Sequence, residues 1–151
     1  LIHVGYAGGL QPELVPGDII LTDGAFNDTA VARLYGYDYE IICSSKDLTN
    51  EIEEMITSAE IPYKRGLHWT TDAGYRETWG QVMDYRDKGA LCVEMEGVGL
   101  FTIANYRKCV ATGIYVVSDV YSEDDWKLGW EGNDIKRAVG AVIDMIIESI
   151  R

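Results

Sequence analysis

The stretch LCVEMEGVGLF, residues 91–101, decides the fold of this chain. It begins with apolar residues, which are followed by Glu94 and Glu96. Small and apolar residues come directly after them. Residues 91–93 are typical of the end of a buried strand, and residues 97–104 of a helix packed in a core on nearly all sides. Carboxylates are rarely buried without partners, so two of them at a strand-to-helix junction indicate a ligand site. The alternative is a surface turn from which both side chains point into solvent.

The composition predicts one globular domain over residues 1–151. The chain is 47% hydrophobic and 25% charged, and its length suffices for a substantial core. Its net charge of -12 argues against nucleic acid or an anionic membrane surface as a partner, because both repel an acidic protein. The sequence shows no run of about 18 apolar residues and no basic-then-apolar leader, so we expect a cytoplasmic protein.

The three cysteines, Cys43, Cys92 and Cys109, are odd in number and contain no CxxC pair. A disulfide framework or a zinc site needs paired or clustered cysteines. We therefore expect reduced thiols, in agreement with a cytoplasmic location.

Predicted strands alternate with predicted helices along the chain. The strands are residues 1–6, 18–21, 63–70, 91–93 and 111–118, and the helices are residues 47–59, 77–88, 97–104 and 134 onward. Such alternation predicts an α/β fold, a three-layer sandwich whose mostly parallel mixed sheet is covered by helices on both faces. The acidic and aromatic segment 121–132, with Trp126 and Trp130, is either a lid or a surface crossover.

Three of these strands end in glycine-rich or carboxylate-containing segments of the kind found in ligand sites. In open α/β sheets, ligands bind beyond the carboxyl ends of the strands. Residues 6–9, 94–96 and 118–119 occupy such ends, so we expect Tyr6, Glu94 and Asp119 to open on one cleft. Taken alone, Asp119 is equally well explained as a turn or capping residue.

Five segments together are similar to one known family. They are VGYAGGL (4–10), PGDII (16–20), TDAGYRE (71–77), VEME (93–96) and VVSD (116–119). These segments resemble the nucleoside phosphorylases of the purine nucleoside and uridine phosphorylase type, with the related nucleosidases. The resemblance covers essentially all of this chain but only the C-terminal two-thirds of a typical member. We therefore expect a phosphorylase-like fold that lacks the N-terminal part, including its glycine-rich segment and phosphate-binding Arg.

The resemblance implies roles for four residues in cleavage of an N-glycosidic bond. Met95 and Glu96 would hold the ribose, with the Glu96 carboxylate accepting hydrogen bonds from the 2′ and 3′ hydroxyls. Asp119 would be the general acid that protonates N7 of a departing purine, and Ser118 would orient it. This chemistry requires a proton donor at the base and an anion near the sugar, because cleavage builds negative charge on the base and positive charge on the ribose.

The resemblance also implies contacts to the base and to phosphate. Gly74 stands where many relatives place a Phe. The family's phosphate-binding positions, often Arg and Ser or Thr, are occupied here by His3 and Tyr6, and the nucleosidases also lack that Arg. The base would be contacted by Ala7, Gly8, Gly74, Tyr75, Val93 and Glu94.

We predict a nucleoside phosphorylase that uses phosphate as co-substrate and needs no metal or organic cofactor. The purine as leaving group follows from Asp119, since only a purine offers N7 for protonation. A nucleosidase of the methylthioadenosine or adenosylhomocysteine type, using water instead of phosphate, and a non-catalytic family member remain alternatives. The resemblance implies a homo-oligomer, as a dimer, trimer or hexamer, acting on small molecules.

Overall fold

The computed structural model describes residues 1–121, 126–129 and 132–150. In this part of the chain, seven strands form one mixed sheet. The strands are β1 (Ile2–Gly9), β2 (Ile19–Asp28), β3 (Ile41–Cys43), β4 (Lys64–Thr71), β5 (Cys92–Glu94), β6 (Thr112–Tyr121) and β7 (Trp126–Leu128). The helices are α1 (Val31–Leu34), α2 (Lys46–Ser58), α3 (Trp79–Asp87), α4 (Gly97–Arg107) and α5 (Asn133–Ile150), with a single 3₁₀ turn at Gly74–Arg76.

Every predicted strand and helix is present, with displaced ends. The largest displacement is in β2, which continues to Asp28 although the prediction ended at residue 21. Residues 24–26 pair with β3. Just before Gly24 the pairing of β2 with β4 shifts by one residue, which forms a bulge. Gly24 has φ +152°, and a Cβ there would lie 2.7 Å from the Ile42 carbonyl oxygen, so the close approach of β3 requires glycine.

The predicted lid or crossover at residues 121–132 is only partly described. Its described part contains β7, which pairs antiparallel with β6. Residues 122–125 and 130–131, including Trp130, lie outside the described residues. The choice between a lid and a crossover stays a prediction.

The strand order is β3-β2-β4-β5-β1-β6-β7, and β2 also pairs with β6. This extra pairing runs antiparallel through Ile19, Ile20 and Leu21. It closes β2, β4, β5, β1 and β6 into a ring, which we call the five-strand ring. The long pairings β1–β6 and β2–β4 are parallel, whereas β1–β5 is antiparallel, which confirms the expected mixed sheet.

Helices cover the outside of the ring on different sides. Leu21 belongs to an apolar cluster with α2 and α5, whose Ile52, Ile56 and Val142 are buried. Ala25, farther along the same strand, packs instead with α4 through Val98, Phe101 and Ala104. This arrangement of helices packed on two sides of the mixed sheet confirms the α/β class.

Polar side chains meet inside the five-strand ring. Tyr115 of β6 packs between His3 of β1 and His68 of β4, with ring centroids 5.4 and 4.7 Å away. His68 in turn contacts Thr22 of β2 at 2.6 Å and Glu94 of β5 at 3.0 Å. Because all five strands contribute to this set of contacts, these side chains must point into the ring.

Candidate active site

Gly8 lies at the centre of the candidate site. It pairs with Val93 of β5 on one side and with Asp119 of β6 on the other. Neighbouring strands are about 4.8 Å apart, so the two flanking backbones are separated by about 10 Å. A Cβ at Gly8 would lie 3.3 Å from Asp119 Oδ2 and 3.4 Å from Val93 Cγ1. The Tyr121 ring would lie even closer, at 2.8 Å, so these three side chains approach the backbone at Gly8 more closely than a larger residue would allow.

A bulge in β6 places Asp119 beside Gly8. Ala7 pairs with Val117 and Gly8 with Asp119, so Ser118 is the extra residue. Bulges redirect side chains in this way. Ser118 and Asp119 are both buried, and Ser118 Oγ donates a hydrogen bond to Asp119 Oδ1 at 2.5 Å. Ser118 Oγ is also within 3.3 Å of the Ala7 carbonyl oxygen. The structure thus contains the contact through which Ser118 would orient Asp119.

Two residues that sequence reasoning gave no role, Glu77 and Tyr121, lie beside Asp119. Tyr121 Oη donates to Glu77 Oε2 at 2.8 Å, and the Tyr121 ring reaches within 2.8 Å of a Cβ placed at Gly8. Burial raises the pKa of Glu77 against the opposing effect of the Tyr121 hydrogen bond, and the charge of Asp119 raises this pKa further. The signals available were weak: Glu77 ends the TDAGYRE segment, and Tyr121 follows Asp119 by two positions in a strand.

The loop after β4 meets the loop after β5. A Cβ at Gly74 would lie 3.4 Å from Met95 Sδ and 3.6 Å from Glu77 Oε1. Gly74 and Met95 are therefore neighbours. Tyr75 is not part of this group in the described structure, because its side chain is fully exposed. Its predicted contact with the base stays a prediction.

Met95 and Glu96 form the exposed rim of the site. Glu96 is the N-cap residue of α4, but its side chain makes no capping bond to the helix. Its Oε2 accepts a 3.3 Å hydrogen bond from the Met95 backbone N–H. The Met95 side chain is about half exposed. Both side chains are therefore accessible to a ligand.

Glu94 has a different environment from Glu96. Its side chain is 1% exposed and points into the five-strand ring. Oε1 accepts from Thr70 Oγ1 at 2.5 Å and contacts His68 Nε2 at 3.0 Å, and Oε2 accepts the backbone N–H groups of Glu96 and Gly97. Burial acts to raise the pKa of Glu94, but the bonds from His68 and Thr70 outweigh it and hold this pKa below its ordinary value. Base binding by this carboxylate stays a prediction, since its two oxygens already have four partners.

The predicted phosphate residues lie on opposite sides of β1. His3 points into the ring, where its Nδ1 is 3.4 Å from Tyr115 Oη. Tyr6 is 48% exposed. The expected single cleft thus contains Asp119 with Gly8, Val93, Gly74 and Met95 around it, while Glu94 and His3 face the ring interior.

The described ranges contain neither a cluster of metal-binding side chains nor a membrane-spanning helix. No three His, Cys, Asp or Glu side chains there are grouped closely enough to hold a metal ion. None of the helices in the same ranges has the length and apolar character needed to cross a membrane.

Comparison with known proteins gives consistent matches. A family model described as the phosphorylase superfamily matches residues 1–148. The DeoD-type purine nucleoside phosphorylase of Exiguobacterium sibiricum is 34% identical over 121 residues, which cover 79% of this chain and 51% of that protein. The enzyme of the same name from Caldanaerobacter subterraneus is also 34% identical over 121 residues, covering 79% of this chain and 52% of that protein. The chain spans about half the length of the curated relatives it matches.

Solved structures show the same fold. The purine nucleoside phosphorylase of Toxoplasma gondii in complex with immucillin-H superimposes with a TM-score of 0.86 at 18% identity, over 98% of this chain and 61% of that one. The P knowlesi homolog of P falciparum PNP gives a TM-score of 0.81 at 22% identity, over 98% and 59% of the two chains. At these identities the likeness concerns the fold.

Proposed function

The chain belongs to the phosphorylase superfamily, and we propose that this protein cleaves the N-glycosidic bond of a purine nucleoside with phosphate, releasing the free base and ribose 1-phosphate. The observation that carries the proposal is the Ser118–Asp119 pair at the bulge of β6, buried and directed at the space beside Gly8. The purine nucleoside phosphorylases among the relatives support the choice of reaction.

Asp119 is the proton donor in the proposed reaction. As the glycosidic bond breaks, electrons move onto the purine, and a proton delivered to N7 neutralises them. The proton that Asp119 transfers is on Oδ2, the oxygen next to Gly8, while Oδ1 accepts the hydrogen bond from Ser118 Oγ.

The rim residues bind the ribose in this proposal. The exposed Glu96 carboxylate accepts hydrogen bonds from the 2′ and 3′ hydroxyls, and its charge stabilises the developing cation on the sugar. Met95 packs against the sugar next to Gly74. The base lies beside Gly8 and Val93, within reach of Asp119 and the Tyr121 ring.

One observation favours hydrolysis as the second candidate. A phosphorylase binds a phosphate dianion, which calls for a cationic group at the site. His3 occupies one expected phosphate position, but it points into the five-strand ring toward Tyr115. If no other part of the protein supplies a cation, water takes the place of phosphate and the product is free ribose.

We also propose that the protein works as a homo-oligomer. Exposed apolar side chains on α1 and α4 support this proposal, among them Leu34 at 80% and Tyr106 at 55% exposure. Such residues are common in subunit contacts. Light scattering coupled to size exclusion gives the mass of the particle and tests this point.

The experiment that tests the function is product analysis with and without phosphate. Inosine, adenosine and uridine are each incubated with the protein, and the sugar product is identified by mass spectrometry. Phosphorolysis of the two purine nucleosides requires phosphate and yields ribose 1-phosphate. Free ribose in the absence of phosphate would establish the hydrolase instead. Cleavage of uridine alone would contradict the purine assignment.

A further inference from the structure

Glu94 connects the interior of the five-strand ring to the exposed rim. Its Oε1 binds Thr70 and His68 of β4, whereas its Oε2 accepts the backbone N–H groups of Glu96 at 2.9 Å and Gly97 at 2.8 Å. The first turn of α4 is thereby tied to a strand inside the ring. Met95 and Glu96, the proposed ribose contacts, immediately precede this helix, with Glu96 as its N-cap residue.

His68 must donate to Glu94 through Nε2. An ionised carboxylate only accepts hydrogen bonds, so the proton of the 3.0 Å contact is on the imidazole. On the other side of the imidazole, Nδ1 lies 2.6 Å from Thr22 Oγ1. Thr22 is itself anchored to Gly24, accepting its N–H at 3.1 Å and lying 2.8 Å from its carbonyl oxygen. The imidazole therefore bridges β2 and β5.

Packing allows His68 little freedom to move. The side chain is fully buried, and its ring lies 4.7 Å from Tyr115 and 6.2 Å from Phe101, centroid to centroid. Gly97 is packed equally closely, since a Cβ there would lie 2.6 Å from His68 Nε2 and 3.0 Å from Glu94 Oε1. The start of α4 therefore packs directly against the His68–Glu94 pair.

We propose that His68 is a positioning residue for the sugar site: by holding Glu94, it fixes the Met95–Glu96 peptide and hence the Glu96 carboxylate. His68 has no contact with the ligand in this proposal and acts through Glu94 alone. The part that concerns the sugar rests on the proposed function, whereas the placement of the peptide does not.

Two amide substitutions test the contacts of the two imidazole nitrogens separately. His68→Gln places an N–H donor near the position of Nε2 and keeps the bond to Glu94. His68→Asn is shorter, so it reaches Thr22 but not Glu94. The first measurement is hydrogen exchange of the Glu96 and Gly97 backbone N–H groups by NMR. We expect exchange at both to accelerate about tenfold or more in His68→Asn and to stay near the parent rate in His68→Gln.

The second measurement is steady-state kinetics with inosine and phosphate. We expect His68→Asn to raise KM for inosine about tenfold with a smaller change in kcat, and His68→Gln to stay within about threefold of the parent. Ile56→Ala in α2 serves as control, because Ile56 is fully buried in a cluster away from this contact. It lowers the unfolding temperature without a change in KM or in exchange at Glu96 and Gly97.

The outcomes separate this proposal from the proposed function. Equal exchange rates in the Asn and Gln variants would overturn the positioning role, whatever the activity. Faster exchange with an unchanged KM would overturn its link to the sugar. A parent that does not cleave inosine would refute the proposed function, and amide exchange alone would then decide the positioning role. Should either variant fail to fold, Thr70→Val takes its place, because it removes the other donor to Glu94 Oε1. Unchanged exchange at Glu96 and Gly97 in this variant would count against anchoring at Oε1.

Discussion

The interior of the five-strand ring and the rim around Asp119 both contain carboxylates, but they use them differently. Inside the ring, both oxygens of Glu94 are engaged with protein donors and the side chain is 1% exposed. Two residues later, Glu96 is exposed at the start of α4. The strand β5 ends at Glu94, so Glu94 keeps the inward direction of the strand, whereas Glu96 is already the N-cap residue of α4. The position relative to the strand end, not the residue type, decides which carboxylate is structural and which can bind a ligand.

The largest effect is expected at the rim, from Asp119→Asn. This change keeps the shape of the side chain but removes the transferable proton, and general acid catalysis contributes about 10²–10⁴-fold. Turnover of inosine should fall by that order, measured as kcat with saturating phosphate. A nitrophenyl riboside, whose leaving group needs no proton, should be affected much less. Equal losses on both substrates would mean that Asp119 is not the acid.

The next effect tests the two glutamates directly through stability. Glu94→Leu leaves His68, Thr70 and two backbone N–H groups without their acceptor, and breaking a buried charge pair in this way costs about 3–5 kcal/mol. Glu96→Leu, at an exposed position, should change the free energy of unfolding by no more than about 0.5 kcal/mol. Urea denaturation of both variants measures the difference. Similar losses would show that the two environments do not differ as described.

The same pair can be compared through sugar binding. Glu96→Gln replaces a charged acceptor with a neutral one that offers a single acceptor oxygen, and bonds to a charged group contribute about 1.5–3 kcal/mol. We expect kcat/KM for inosine to fall about tenfold or more. The parent should process 2′,3′-dideoxyinosine poorly for the same reason. If the parent cleaves ribo- and dideoxyribonucleosides equally well, Glu96 does not bind the diol.

The smallest effect concerns the pH dependence of stability. The pKa of Glu94 is lowered from 4.5, so its stabilisation is complete above that value and is lost as the pH falls below it. The pKa of Glu77 is raised from 4.5, so its contribution is present below that value and is lost as the pH rises above it. The two carboxyls therefore act with opposite sign.

Unfolding temperatures between about pH 3 and pH 8 test these signs. Relative to the parent, Glu94→Gln should lose most stability at neutral pH and least in acid. Glu77→Gln should show the reverse trend, because it removes a carboxyl that is costly to ionise. Parallel curves for the parent and both variants would contradict the assigned directions.

Much of the fold follows from the sequence because its signals are local. The β-branched run of β6 and the apolar stripe of α5 each predict their element from a single stretch. The closure of the ring has no such signal. It depends on pairing between β2 and β6, which lie far apart in the chain, and the Asp23-Gly24 pair interrupts the apolar pattern that would predict the extension of β2.

The site was predictable to the same degree. The proximity of Gly8, Val93 and Asp119 follows from strand ends that meet, as the motifs indicate. The separation of Glu94 from the cleft does not, because its partner His68 lies 26 residues earlier on another strand. Glu77 and Tyr121 were missed for a related reason. They are 44 residues apart, and neither local segment has a sequence pattern that predicts their contact.

The parallel pairing of β1 with β6 has a consequence for how the chain folds. Ile2 pairs with Thr112 and Gly9 with Val120, so more than a hundred residues separate the partners. Contacts of such high sequence separation give slow folding, typically about milliseconds to seconds. The chain between the two strands must close into a loop, at a cost in entropy, before their contacts stabilise the fold. On the ribosome, β1 would leave the exit tunnel well before its partner strand is made. Until then β1 lacks its longest pairing and is open to wrong pairing during synthesis.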